Sequence, residues 1–217
     1  MWRIASPNGK INAMDLARIE QHYNSTYAAL DFERRGLFRL LQRQFKPREV
    51  VYLGSSIHVT PSFYFPHVRY VDNSAQSRDF FADFDTLKAF VSQRKQYRQA
   101  PYLQYIQVDY HSWVPSPFER GDLVLALYAP GALAATTTFM KRCGVLVYLP
   151  LPSDQDSAPP PGLAQMGIIV AKGDSYYYEN GGLATPTPSA TLAGGSPGRG
   201  ERFRDDNVYG VYRLASN

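Results

Sequence analysis

The chain has 217 residues, 44% apolar and 19% charged, with 23 Lys and Arg against 19 Asp and Glu. That length suits one domain, or one domain with an appendage, and the composition excludes wholesale disorder, collagen and coiled coil. A net charge of +4 allows an anionic partner without arguing for one. The single cysteine, Cys143, can form no intramolecular disulfide, and no Cys/His cluster has zinc-ligand spacing, which implies a reducing, cytoplasmic setting and no metal. The first ten residues contain no signal-peptide run, and no stretch reaches the roughly eighteen apolar residues of a membrane helix.

Asn12 is placed to cap a helix from Ala13, followed at helical spacing by Met14, Leu16, Ile19, Tyr23, Tyr27 and Leu30. A second helical pattern, Phe32, Leu37, Phe38, Leu40, Leu41 and Phe45, ends before Pro47. Residues 1–47 therefore read as an N-terminal helical segment. Arg34, Arg35, Arg39, Arg43, Lys46 and Arg48 crowd its second half, either as a solvated helix face or as a contact for an acidic partner or RNA.

Residues 48–217 change character. Short apolar runs close at Gly54, Asp72 and Asp109, and two more follow Gly121-Asp122 and Gly144. Helical patterns lie between them, over 74–98 and roughly 131–142. Strands alternating with helices predict a doubly wound α/β domain, three-layered, around a mainly parallel sheet. Residues 153–162 are proline-rich and read as a loop. Met166–Ala171 and Ser175–Glu179 read as a hairpin, 181–200 as a mobile small-residue insertion, and Val208–Leu214 as a last strand. This suggests an antiparallel C-terminal edge, with the insertion hung between two edge strands.

In such a sheet the ligand lies beyond the carboxyl ends of the strands. Gly54 permits a tight turn and close approach there, and Ser55 and Ser56 add hydroxyls. Asp72, at the end of the second strand, is placed to accept the hydroxyls of a ribose. Asp109, after the third, is placed to accept from the amine of adenine. The bland alternative for both acids is a turn or helix cap. The turn Gly54-Ser55-Ser56-Ile57-His58-Val59 holds one glycine, which argues against the pyrophosphate of a dinucleotide, and there is no P-loop.

These pieces resemble the class I S-adenosylmethionine-dependent methyltransferases: VVYLGSS as the glycine turn, VRYVDNS as the strand with the ribose acid, YIQVDY with the adenine-side acid, and GDLVLALYAP as the fourth strand. The resemblance covers about residues 48–215. It implies S-adenosylmethionine as cofactor and methyl transfer to an unidentified acceptor. It would put Gly54, Ser55 and Ser56 at the methionine moiety, Asp72 and Asn73 at the ribose, and Asp109 and Tyr110 at the adenine. Leu127 and Tyr128 would lie near the transferable methyl. The chain departs from the pattern where Ser56 and His58 replace glycines, where the first crossover is short and proline-broken, and in the proline-rich stretch after the fifth strand.

Two other readings stay open: a non-catalytic Rossmann-like protein that binds an adenosine ligand or a protein, and a nucleic-acid-associated protein using the arginine-rich helix. His58 and His111 are each either a general base at the cleft or a surface histidine. Asp154 and Asp156 either touch a substrate amine or belong to a solvated loop. Phe63, Tyr64 and Phe65 either wall the ligand or pack where a helix is missing, and Tyr176-Tyr177-Tyr178 reads as strand packing. Cys143 falls at the wrong end of its strand for the site. Asp72, at a strand terminus, is expected to be replaceable without harm to folding, and Asp154 to be replaceable without harm to cofactor binding.

Overall fold

Val50–Leu53 forms the first strand, β1, and all four residues are buried. A strand covered on both faces reads as an unbroken apolar run, as this one does. His67–Asp72 (β2), Tyr102–Gln107 (β3), Gly121–Ala126 (β4) and Met140–Tyr148 (β5) complete a parallel set with it. Leu163–Lys172 (β6) and Ser175–Asn180 (β7) pair as a hairpin turned at Gly173, and Val208–Leu214 is β8. The order across the eight-stranded sheet is β3-β2-β1-β4-β5-β8-β6-β7. The architecture is therefore a mainly parallel, doubly wound α/β sheet with an antiparallel C-terminal edge. This computed structural model describes residues 13–151, 154, 159–181, 185–188 and 203–215. The cap at Asn12, the acid Asp156 and the insertion at 181–200, apart from 181 and 185–188, lie outside the described residues.

One expectation about the edge is corrected. Of the two strands that flank the insertion, β7 is an edge strand but β8 is not, because β8 inserts between β5 and β6, antiparallel to both. Its residues Tyr209–Tyr212 are buried on both faces, as a central strand requires. Gly210 allows the fit, since a Cβ there would lie 2.5 Å from the Tyr212 ring.

Helices α1 (Ala13–Tyr23), α2 (Arg35–Phe45), α3 (Ala75–Phe80) and α4 (Phe84–Ser92) lie on one face of the sheet. Tyr23, Phe38, Phe80 and Phe90 pack there with Tyr52, Tyr70 and Leu125, so the N-terminal helices share the core of the sheet. The single helical pattern of 74–98 is split because Asp83 caps α4, accepting the Thr86 N–H at 3.1 Å. The first crossover carries a 3₁₀ turn, Thr60–Phe63, with Pro61 in it. Phe63, Tyr64 and Phe65 are buried and fill the place of the missing helix.

The opposite face is more thinly covered, by a single-turn α5 (Ala132–Ala135) and a 3₁₀ turn, Thr136–Phe139. The helix expected to reach 142 stops short, and Met140 already belongs to β5. Thr136 and Thr138 turn their hydroxyls back onto the carbonyls of Leu133 and Ala135 at 2.8 and 2.7 Å, a local competition that weakens helix. In β7, Tyr177 is exposed while Tyr176 and Tyr178 pack on the core. Among the described residues no helix is long and apolar enough to cross a membrane.

Candidate functional site

Strand order reverses between β1 and β4, and open α/β sheets bind ligands beyond the carboxyl ends of the strands at such a point. The residues that follow β1, β2 and β4 converge there. Gly54 has φ of +60° and donates its N–H to the Val71 carbonyl at 2.9 Å. A Cβ on Gly54 would lie 2.8 Å from the Tyr128 carbonyl oxygen, so the β1 turn and the end of β4 can meet only around a glycine. Ser55 is buried beneath the turn. Ser56, at φ +47°, aims its N–H at Asp72 Oδ2, 2.8 Å away.

Asp72 is the hub of this cradle. Its Oδ1 accepts the Ser74 N–H at 2.8 Å and the Ser77 hydroxyl at 2.9 Å. Desolvation opposes ionisation, but hydrogen bonds from Ser74, Ser56 and Ser77 outweigh it and hold the carboxyl below its ordinary range. A carboxylate has about four lone-pair directions, and Oδ2 has accepted one N–H, so one direction on Oδ2 is open. The group is half-buried and ionised, with acceptor capacity left on Oδ2, which fits one hydroxyl of a ribose. Asn73 is exposed beside it.

The third-strand residues stand farther out than expected. β3 ends at Gln107, which leaves Asp109 in an exposed turn where its Oδ1 accepts the His111 N–H at 2.9 Å. Tyr110 donates to the Pro130 carbonyl at 2.9 Å, and His111 Nε2 donates to the same oxygen at 3.0 Å, tying this loop to the end of β4. Burial, together with Asp109, Asp154 and Asp72, pushes the Tyr110 phenol up to about 12, so it stays protonated among three carboxylates. Leu127 turns into the main core.

Asp154 is not a solvated acid. It is buried, and its oxygens accept the Gly131 N–H at 2.8 Å and the Tyr148 hydroxyl at 3.0 Å, which tethers the loop after β5 to the loop after β4. His58 is neither a base facing the cleft nor a surface residue. It is buried, with Nε2 at 3.2 Å from the Glu33 carbonyl and Nδ1 at 3.0 Å from the Tyr52 hydroxyl. A carbonyl only accepts, so Nε2 carries the proton and Nδ1 accepts from Tyr52. Burial, reinforced by Arg34, lowers its pKa to about 3 and keeps the ring neutral.

Over the ends of β1 and β4 lies a cover that the sequence did not reveal. After α1 the chain makes a π-helical turn, Asn24–Ala28, then takes left-handed conformations at Asp31 and Arg34 before entering α2. Tyr27 stacks on His58, 4.5 Å between centroids at 20°. Arg34 is buried. Its Nε donates to Asp205 Oδ2 at 3.1 Å and to the Tyr209 hydroxyl at 2.9 Å, and its Nη2 donates to the Tyr128 hydroxyl. The rings of Phe32, Phe203 and Tyr128 surround the guanidinium with centroids 4.4–4.8 Å from Cζ. Tyr128 thus faces this cluster.

The arrangement at the cradle orients groups and accepts hydrogen bonds, which suits a displacement driven by proximity and alignment.

No family model and no curated protein sequence matches the chain. Among solved structures, yhhF from Escherichia coli, a methyltransferase candidate, is similar over 88% of this chain and 91% of its own, with a TM-score of 0.50 and 8% identity. An O-methyltransferase candidate from Klebsiella pneumoniae covers 96% and 93%, with a TM-score of 0.49 and 11% identity. N-methyltransferase NodS from Bradyrhizobium japonicum WM9 covers 86% and 97%, with a TM-score of 0.45 and 11% identity. At 8% identity the likeness to yhhF is one of fold. With the strand order and the antiparallel edge, it gives the chain the fold of the class I methyltransferases.

Proposed function

We propose that the chain is an S-adenosylmethionine-dependent methyltransferase of the cytoplasm. The observation that carries this reading is the Gly54 turn joined through the Ser56 N–H to the ionised Asp72 carboxylate at 2.8 Å, at the point where strand order reverses. In it, Asp72 accepts a ribose hydroxyl through the open direction of Oδ2, and Asn73 flanks the ring. Asp109 and Tyr110 border the adenine. Gly54, Ser55 and Ser56 run beside the methionine moiety, and Tyr128, on the backbone that Leu127 anchors in the core, lies toward the reacting methyl. When bound, the cofactor would supply an electrophilic methyl on a sulfonium. The chain's residues bind, orient and exclude water. The division at residue 47 belongs to the same reading, with the helical segment contributing Tyr27, Phe32 and Arg34 to the cover and residues 48–217 forming the cradle and the rest of the cover. The lone cysteine, Cys143, supports a reducing compartment.

Calorimetric titration with S-adenosylmethionine and with its demethylated product tests the reading. Saturable heat with wild type, weakened by Asp72→Asn, is expected. No heat with either ligand at millimolar concentration returns the protein to the non-catalytic reading.

A further inference from the structure

The end of the sheet opposite the cradle carries charge that the proposed reaction does not use. α2 leaves Arg39 and Arg43 exposed, and the chain leaves the helix through exposed Lys46 and Arg48. Among the described residues none of these four side chains forms an ion pair, but Arg39 shares a cleft with Asp31, Glu33 and Asp174, so the unneutralised charge is that of Arg43, Lys46 and Arg48. The four run along one helix and into its C-terminal loop, with the first two a full turn apart, about 6 Å along the axis.

Lys46 and Arg48 open onto a cleft of about 450 Å³ at the amino-terminal ends of β1 and β2, whose opposite wall includes His67, Tyr97 and Gln99. The one acid among its described lining residues, Glu49, is already engaged: Arg69 reaches it at 2.6 Å and His67 at 3.3 Å. Past Tyr97, the Lys95 ammonium lies 5.2 Å over that ring and donates to the Arg98 carbonyl at 3.1 Å, and Arg98 itself is exposed. Beside the cleft, Tyr102 is 46% exposed on edge strand β3 and stacks on His67 with centroids 5.4 Å apart at 27°. This gives one exposed aromatic platform bordering a concave, unneutralised basic surface.

We propose that this cleft binds single-stranded nucleic acid, with phosphates on Arg43, Lys46 and Arg48 and a base stacked on Tyr102. Basic grooves edged by aromatic faces hold single strands in this way, because every base offers a flat face and every linkage a charge. An acidic protein would use the cations but has no need of the platform. A duplex keeps its bases stacked internally and offers Tyr102 nothing. The inference is independent of the methyltransferase reading, since the cleft lies at the other end of the strands.

The test is fluorescence anisotropy with a labelled, mixed-sequence RNA of about 15 nucleotides, titrated with the full chain over a range of salt concentrations. Three phosphate contacts predict a fall in log affinity against log salt with slope near −2, at about −0.7 per contact for single strands. The double variant Lys46→Glu, Arg48→Glu should bind at least tenfold more weakly at low salt and flatten that slope. Tyr102→Ala should weaken binding roughly tenfold and leave the slope unchanged, because stacking releases no counterions. Arg18→Glu, on α1 and remote from the cleft, should change nothing. All four positions are exposed, and thermal melts followed by circular dichroism verify the fold of each variant. Absence of binding at low salt overturns the proposal, as does binding insensitive to the Lys46 and Arg48 reversal. Equal affinity for duplex together with indifference to Tyr102→Ala also overturns it, leaving only a general polyanion surface.

Discussion

Two carboxylates near the carboxyl end of the sheet are built for opposite purposes. Asp72, in the cradle, receives N–H and hydroxyl groups from Ser56, Ser74 and Ser77, all neutral and all close in sequence to strand ends. It is half-buried and keeps an open acceptor direction. Asp205, in the cover, is buried and saturated. Its Oδ2 accepts from Arg34, from Tyr176 at 2.7 Å and from Tyr209 at 2.6 Å, and its Oδ1 accepts from Asn207. The first is a carboxylate held ionised with capacity to spare, and the second a carboxylate consumed by structure. A well-bonded acid is a binding candidate only where acceptor capacity remains, so on the proposed reading Asp72 is the candidate for binding while Asp205 holds the cover together.

The largest way to break the comparison is to remove one partner of the buried pair. Arg34→Met leaves the Asp205 charge buried without its cation, and Asp205→Ala leaves Arg34 in the same position. Each should cost about 3–5 kcal/mol in denaturant unfolding, the range for an orphaned buried charge. The same measurement on Asp72→Ala should show a smaller loss, about 1–3 kcal/mol, from donors left unsatisfied. A loss of that size would overturn the expectation that Asp72 can be replaced without harm to folding. Equal losses at Asp72 and Asp205 would dissolve the distinction.

The cover should also be the acid-sensitive region. His58 titrates near 6.5 in the unfolded chain and near 3 in the folded one, because burial and Arg34 oppose its charge. Between those values the unfolded state binds more protons, so this contribution to stability is full above pH 6.5 and is lost as pH falls. From pH 6.5 to 4.5 the loss should be roughly 2–3 kcal/mol, at about 1.36 kcal/mol per pH unit. Asp72, also lowered, adds its loss only below the ordinary carboxylate range. Unfolding midpoints of wild type and His58→Gln across this window separate the two, since the variant should be flat above pH 4.5.

The same contrast explains what could be read from the chain. β1 and β4 are apolar runs punctuated by glycine and aspartate, and the Gly54 and Asp72 positions follow from strand ends, so the cradle was legible locally. The cover was not. Arg34 and Asp205 are 171 residues apart, and an arginine in an arginine-rich stretch reads as solvated until the fold encloses it. His58 and Asp154 look like loop polar groups because composition says nothing of a carbonyl, an N–H or a phenol waiting in three dimensions. The place of β8 escaped for a related reason: pairing order is set by burial on both faces, and its run of buried residues was the available clue.

Within the cradle, Asp72→Asn keeps the side chain's shape and much of its bonding but removes the charge. A charge-assisted hydrogen bond is worth about 1.5–3 kcal/mol, so affinity for S-adenosylmethionine should fall roughly ten- to a hundredfold. Asp154→Ala no longer serves as a neutral control, because it would strip the Gly131 and Tyr148 donors of their acceptor. Arg18→Ala, on an exposed face of α1, serves instead.

The smallest effect should come from Asp109. Its carboxylate stands in an exposed turn two residues past the end of β3, and one oxygen is already held by the His111 N–H at 2.9 Å. A hydrogen bond from an adenine amine to such a group competes with water on both sides, so its net worth lies near the lower end of the usual range, about 0.5–1.5 kcal/mol. Asp109→Ala should therefore weaken S-adenosylmethionine binding only about two- to tenfold, measured by the same titration. The turn itself should loosen, because the side chain holds the His111 N–H while the Asp109 carbonyl accepts from Ser112 and Trp113. Asp109→Asn keeps an oxygen for that N–H and should recover most of the loss if the turn is what matters. If Asn binds as weakly as Ala, the carboxylate itself faces the ligand, and the adenine side of the cradle resembles the Asp72 side more closely than its exposure suggests.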